Sequence, residues 1–158
     1  MRGNDEIIEI LNEVLTAELT AVNQYFLHAK MMENWGLDKL AAHTRAESID
    51  EMKHADQITD RVLYFEGVPN FSRYFPLEIG EDVPEMFEKD LELEYKAVER
   101  LNRGVNLCRD LGDNGTRELL ESILVSEEEH IDWLEAQLDL VEQVGPQNYM
   151  AAQIHDQG

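Results

Sequence analysis

The stretch Ile49-Asp50-Glu51-Met52-Lys53-His54-Ala55-Asp56-Gln57 sets a glutamate and a histidine three positions apart, with a methionine between them. Read as helix, Glu51 and His54 lie on one face, one turn apart. That face also holds Leu40, Ile58, Val62, Phe65 and Glu47, so ionisable groups interrupt an apolar stripe. One Glu-x-x-His is weak in an acidic helical chain, but three other segments break their stripes in the same way. Leu11, Val14, Leu15, Val22, Tyr25 and Ala29 share a face with Glu18. Phe87, Leu91, Val98, Leu101 and Val105 enclose Glu94, and Leu120, Ile123, Leu134, Leu138 and Val141 enclose Glu127 and His130.

The interruptions repeat. Glu18 and Glu94, Glu51 and Glu127, and His54 and His130 are each separated by 76 positions, as are Ala21 and Ala97, Val22 and Val98, and Asp56 and Asp132. The two halves therefore read as copies of one helix pair, each with a lone glutamate and a Glu-x-x-His. A bundle with pseudo-twofold symmetry would bring all six side chains together.

Punctuation sets the expected elements. Asn4 with Asp5 and Glu6 starts a first helix that stops at Asn34-Trp35-Gly36. A second runs from Asp38 to Glu66, ahead of Gly67 and Pro69. The segment GVPNFSRYFPLEIGE has no helical pattern and is long for a connection, so it is expected to cross the length of the bundle. Asp82 and Glu85 open a third helix that ends between Leu111 and Gly115, and a fourth spans Thr116 to Val144. Gly145-Pro146 breaks it, and QNYMAAQI forms a short fifth. The fold class is all-α: one domain over residues 1–158, an antiparallel four-helix bundle with a long crossover between helices 2 and 3.

The formal net charge of -21 excludes the basic footprint that nucleic acid requires and makes cations the natural partners. No run approaches a membrane span and no leader-like start is visible, so the expected address is the cytoplasm. A single cysteine, Cys108, excludes a thiolate-built cluster and reads as a small buried hydrophobe. The chemistry falls to oxygen and nitrogen. Four glutamates in an apolar interior must be neutralised by protons or metal. Two divalent ions would cancel them with both imidazoles neutral, and carboxylate with imidazole suits iron or manganese and accepts zinc. Glu18, Glu51, His54, Glu94, Glu127 and His130 are therefore the expected ligands of a dinuclear centre.

At NQYFLHA (Asn23–Ala29), NWGL (Asn34–Leu37), ESIDEMKHAD (Glu47–Asp56), EEEHIDWLE (Glu127–Glu135) and GPQNYMAAQI, and over essentially its full length, the chain resembles the bacterioferritins. The resemblance implies a ferritin-like bundle and a ferroxidase centre of dinuclear iron, made of the same six residues. Ferrous iron and O2 or H2O2 would be its substrates. It implies a homo-oligomeric, 24-subunit shell of twofold dimers that stores ferric mineral, with a small ferredoxin delivering electrons for release. Met52 lies about 100° around the helix from Glu51, toward a flank. By resemblance it is the axial ligand of a b-type haem shared between two subunits.

Tyr25 follows Glu18 on the same stripe, placed to hydrogen-bond a ligand, to donate an electron or to pack. Trp35 and Trp133 match the family. The pattern gives His28, His43 and His155 no partner and no role. Ala46 departs from the family, many of whose members carry a histidine of an inner-surface iron site there, although the accessory residues Glu47 and Asp50 are kept. Asn148 matches a pore residue, whereas Ala151 replaces a commoner glutamine. Two rival readings stay open: a substrate-oxidising di-iron enzyme, though such chains are usually longer, and a bundle holding structural zinc. Neither gives Met52 a purpose.

Overall fold

The computed structural model describes residues 1–154. Its elements are α1 (Asp5–Asn34), α2 (Asp38–Tyr64), α3 (Val83–Asp110), α4 (Asn114–Val144) and α5 (Pro146–Ala151). Local chemistry sets their starts. The Asn4 carboxamide caps Glu6 N–H, Asp82 caps Glu85 N–H, and Asp113 caps Thr116 N–H. The last of these starts α4 two residues before the expected Thr116. Helix α2 stops at Tyr64 rather than Glu66, because Glu66 turns left-handed at φ 61° and Gly67 N–H returns to Val62 C=O. The fifth helix is shorter than QNYMAAQI, ending at Ala151. His155 lies outside the described residues.

Helix α1 packs chiefly on α2, and α3 on α4. Contacts between α1 and α3 run in opposite senses: His28 meets Asp90 near one end, and Glu13 meets Arg100 toward the other. The crossover instead runs parallel to α1, so α2 and α3 point the same way. It is held by one polar residue per turn of α1. Asn70 N–H donates to Asn12 Oδ1, Arg73 Nε to Thr16 Oγ1, and Phe75 N–H to Thr20 Oγ1. Glu78 N–H then donates to Gln24 Oε1, and Gly80 N–H to His28 Nε2. Five side chains at i, i+4 spacing thus satisfy the backbone and a side chain of an irregular segment over about 24 Å of helix. At the far end a Cβ on Gly80 would collide with the Met86 backbone, so only glycine lets the chain turn tightly into α3.

Thr20 is fully buried, accepting from Phe75 N–H at 3.0 Å and donating to Thr16 C=O at 2.7 Å. Thr20→Val keeps the shape but orphans the Phe75 amide, and is expected to destabilise by about 1–3 kcal/mol. Thr20→Ser, which keeps the hydroxyl, is expected to recover most of that in chemical denaturation.

Two apolar clusters fill the bundle. One gathers Leu11, Leu15, Ile58, Val62, Leu101, Leu120 and Ile123; the other gathers Met32, Leu40, Phe87, Leu134, Val141 and Tyr149. Cys108 is buried in the first, with its thiol pushed up to about 11 by burial, and behaves as a hydrophobe. Between the clusters lies the polar interior.

Candidate metal centre

Each helix delivers its stripe-breaking residue to the level between the two apolar clusters. Glu18 from α1, Glu51 and His54 from α2, Glu94 from α3, and Glu127 and His130 from α4 converge there. All four glutamates are buried, and the His54 and His130 side chains are 12% and 8% exposed. They form two overlapping sets: Glu18, Glu51, His54 and Glu127; and Glu51, Glu94, Glu127 and His130. Within each set the ligand atoms lie within 4.8 Å of one another. Glu51 and Glu127 belong to both sets, while each set has one lone glutamate and one imidazole of its own. Two cations held there would each have one complete set, with Glu51 and Glu127 common to both.

His54 Nδ1 stands 3.1 Å from Glu127 Oε1 and 3.6 Å from Glu18 and Glu51, and His130 Nδ1 stands 3.0 Å from Glu51 Oε1. These approaches lack hydrogen-bond alignment. One buried atom from each of the six side chains is left without a hydrogen-bond partner: Glu18 Oε2, Glu51 Oε1, His54 Nδ1, Glu94 Oε2, Glu127 Oε1 and His130 Nδ1. Six buried atoms without a hydrogen-bond partner, one from each side chain, are a donor set that would suit a dinuclear cation site.

Without metal, protons hold the charges together. Burial alone would lower the His54 imidazole, but the Glu127 and Glu51 carboxylates outweigh it and push it up to about 9. His130 is raised further, because Glu127, Glu51 and Glu94 overcome its desolvation. Burial, with Glu127 adding to it, raises the Glu94 carboxyl well above the usual range.

Tyr25 sits beside the centre. Its buried hydroxyl donates to Glu94 Oε1, and its ring stands edge-on to His130 with centroids 6.4 Å apart. Burial first, then the Glu94 charge, hold its own ionisation well above normal.

A match to the family model described as a ferritin-like domain spans residues 8–144. The chain is 52% identical over 151 residues to the bacterioferritin of Mycolicibacterium paratuberculosis, covering 96% of this chain and 95% of the relative. It is 51% identical over 154 residues to that of Streptomyces coelicolor, covering 98% and 92%. With that of Brucella melitensis it shares 44% over 149 residues, covering 94% and 92%. The chain belongs to the bacterioferritin family. Its all-helical architecture, with a long crossover and a short C-terminal helix, is the ferritin-like bundle expected from the sequence.

Several groups escaped the sequence pattern. His28 has partners after all: its Nδ1 meets Asp90 Oδ1 at 2.9 Å, an oxygen that also accepts from Gln24 Nε2, and its Nε2 accepts from Gly80 N–H. His43 is likewise engaged, with Nε2 2.7 Å from Glu47 Oε1 and its ring stacked on Trp133 at 3.7 Å. Asp90 and Gly80 belong to other segments, beyond the reach of spacing, whereas the i, i+4 spacing of His43 and Glu47 on α2 is a signal that could have found that pair. Glu47 is buried and Asp50 half-buried on α2. Met52 is 48% exposed, on the flank away from the centre, beside the exposed Ile49. Trp35 is exposed at the α1 end. Among the described residues no helix is long and apolar enough to cross a membrane.

Proposed function

We propose that this chain stores iron and is a ferroxidase. Ferrous iron binds at Glu18, Glu51, His54, Glu94, Glu127 and His130, dioxygen or peroxide oxidises it, and ferric product accumulates inside a 24-subunit cytoplasmic shell. The observation that carries the reading is the pair of ligand sets sharing Glu51 and Glu127, with one orphaned atom on every ligand. Each ferrous ion gives up one electron, dioxygen accepting four and peroxide two. Carboxylates hold both oxidation states because hard oxygens bind Fe(III) more strongly still. The -21 charge draws cations toward the protein.

The half-exposed Met52 would hold a b-type haem through its thioether, since a twofold contact would present one Met52 from each chain to the same group. When bound it would supply electron-transfer chemistry for iron release, with a small ferredoxin as the donor.

An aerobic ferrous titration of metal-free protein tests the proposal. A rapid oxidation phase saturating at about two Fe(II) per chain is expected, followed by slower uptake far beyond it. If uptake stops at the first phase, a substrate-oxidising di-iron enzyme or a structural metal bundle is the better reading.

A further inference from the structure

We propose that Glu47 and His43 form a proton relay between the dinuclear pocket and solvent, a role that rests on the ferroxidase reading. Ferric hydrolysis frees protons for every iron oxidised, and they arise in a pocket walled by two apolar clusters. Two buried acids outside the ligand set border this interior: Asp90 on α3 and Glu47 on α2. Each stands one helical turn before a residue of the centre on the same buried face, Glu47 before Glu51 on α2 and Asp90 before Glu94 on α3.

The two acids differ in where they lead. Asp90 Oδ1 is held by Gln24 and His28, and His28 is closed at its far nitrogen by the Gly80 backbone amide, which has no second proton to pass on. That branch is a dead end. Glu47, with a side chain 6% exposed, instead meets the imidazole of His43, which is 38% exposed. Stacking on Trp133 fixes the plane of that ring and keeps Nε2 on the carboxylate, and among the described residues Nδ1 makes no hydrogen bond to protein. A proton reaching Glu47 passes to Nε2, and the proton on Nδ1 leaves to water. Glu47 is again a carboxylate and the neutral ring is left as its Nε2–H tautomer, which exchanges protons with water to regain the Nδ1–H form before the next transfer; no electron is transferred. Imidazole is the side chain suited to such exchange near neutrality.

The internal repeat isolates this pair from the metal ligands. Every ligand recurs at the 76-residue offset, whereas Glu47 and His43 fall opposite Ile123 and Leu119. Two dinuclear half-sites need no such residues. Their appearance on one side only marks a function for which the metal set has no symmetry.

Stopped-flow mixing of the metal-free assembled protein with Zn(II), in weak buffer with a pH indicator, tests this without redox chemistry. His43→Ala is expected to release as many protons per zinc as the unmodified protein but at least about tenfold more slowly, with added imidazole restoring the rate. Glu47→Gln is expected to slow release without rescue, since it breaks the relay inward of the imidazole. In air, Fe(II) oxidation by His43→Ala is expected to slow and recover in parallel. Zinc-displaced protons leaving His43→Ala at the unmodified rate, or a slowed release that imidazole does not restore, would overturn the relay. A rescued proton defect in a protein that does not oxidise iron would leave the relay standing and remove the ferroxidase instead.

Discussion

Glu127→Ala is expected to empty both halves of the centre, whereas Glu18→Ala is expected to empty only one. Glu127 and Glu51 each belong to both ligand sets, while Glu18 and Glu94 each serve a single set. Removing a shared carboxylate takes one ligand from each ion. It also leaves two divalent ions facing three carboxylates instead of four, so both sites lose charge balance together. Rapid Fe(II) oxidation should therefore fall by at least about a hundredfold in Glu127→Ala, since even groups outside the ligand shell tune metal affinity by that order. Redox-inert Co(II), titrated under argon, separates binding from turnover. Glu18→Ala should retain one tight ion per chain at the set of Glu51, Glu94, Glu127 and His130, while Glu127→Ala retains none. Two tight ions in Glu127→Ala would refute the shared-carboxylate geometry, and equal losses in the two variants would refute the division into sets.

The convergence of those six side chains is legible in the sequence because each violates its surroundings. A glutamate inside an apolar stripe costs several kcal/mol unless compensated, and the same violation at a fixed offset of 76 positions has no explanation in solubility. The ladder under the crossover violates nothing. Asn12, Thr16, Thr20, Gln24 and His28 follow one another at i, i+4, which reads as an ordinary solvated face of α1. Their partners are mostly backbone amides of an irregular segment, and backbone amides carry no side-chain signal. The pattern thus gives His28 no partner, although it is fully buried between Gly80 and Asp90. His43 was missed for a related reason. Its i, i+4 spacing to Glu47 on α2 is in the sequence, but Glu47 also falls on the core stripe, and only the stacking partner Trp133, from α4, lies beyond any pattern. Helix ends were off by two residues where a non-glycine left-handed turn at Glu66 or an aspartate cap at Asp113 decided the boundary.

Filling the centre with a redox-inert divalent ion is expected to stabilise the protein strongly, and more so as pH rises. In the metal-free state the raised His54 imidazole is one of the groups that hold the four glutamates together. Its ordinary value is 6.5 and its folded value about 9, so the folded protein binds that proton more tightly than the unfolded chain. The resulting stabilisation is fully present below pH 6.5 and is lost as pH rises through about 9. For a group that is largely buried, a shift of this size corresponds to at most about 3 kcal/mol. The raised Glu94 carboxyl acts in the same direction, since burial there favours the protonated form and ionisation at higher pH works against the fold. Metal reverses the trend, because it replaces protons and binds best where they are scarce. A ligand at a thousand times its dissociation constant contributes about 4 kcal/mol per site. At roughly 2–4 °C per kcal/mol for a chain of this size, zinc or cobalt should raise the midpoint by about 10 °C or more at pH 8. The increment at pH 6 should be clearly smaller. The metal-free protein should itself melt lower at pH 9 than at pH 6.5, and His54→Leu should flatten that slope. Calorimetry on the assembled protein at matched ionic strength measures all three. A metal increment that shrinks as pH rises would mean that protons do not hold the site closed, and the charge balance assigned to Glu18, Glu51, Glu94 and Glu127 would have to be replaced.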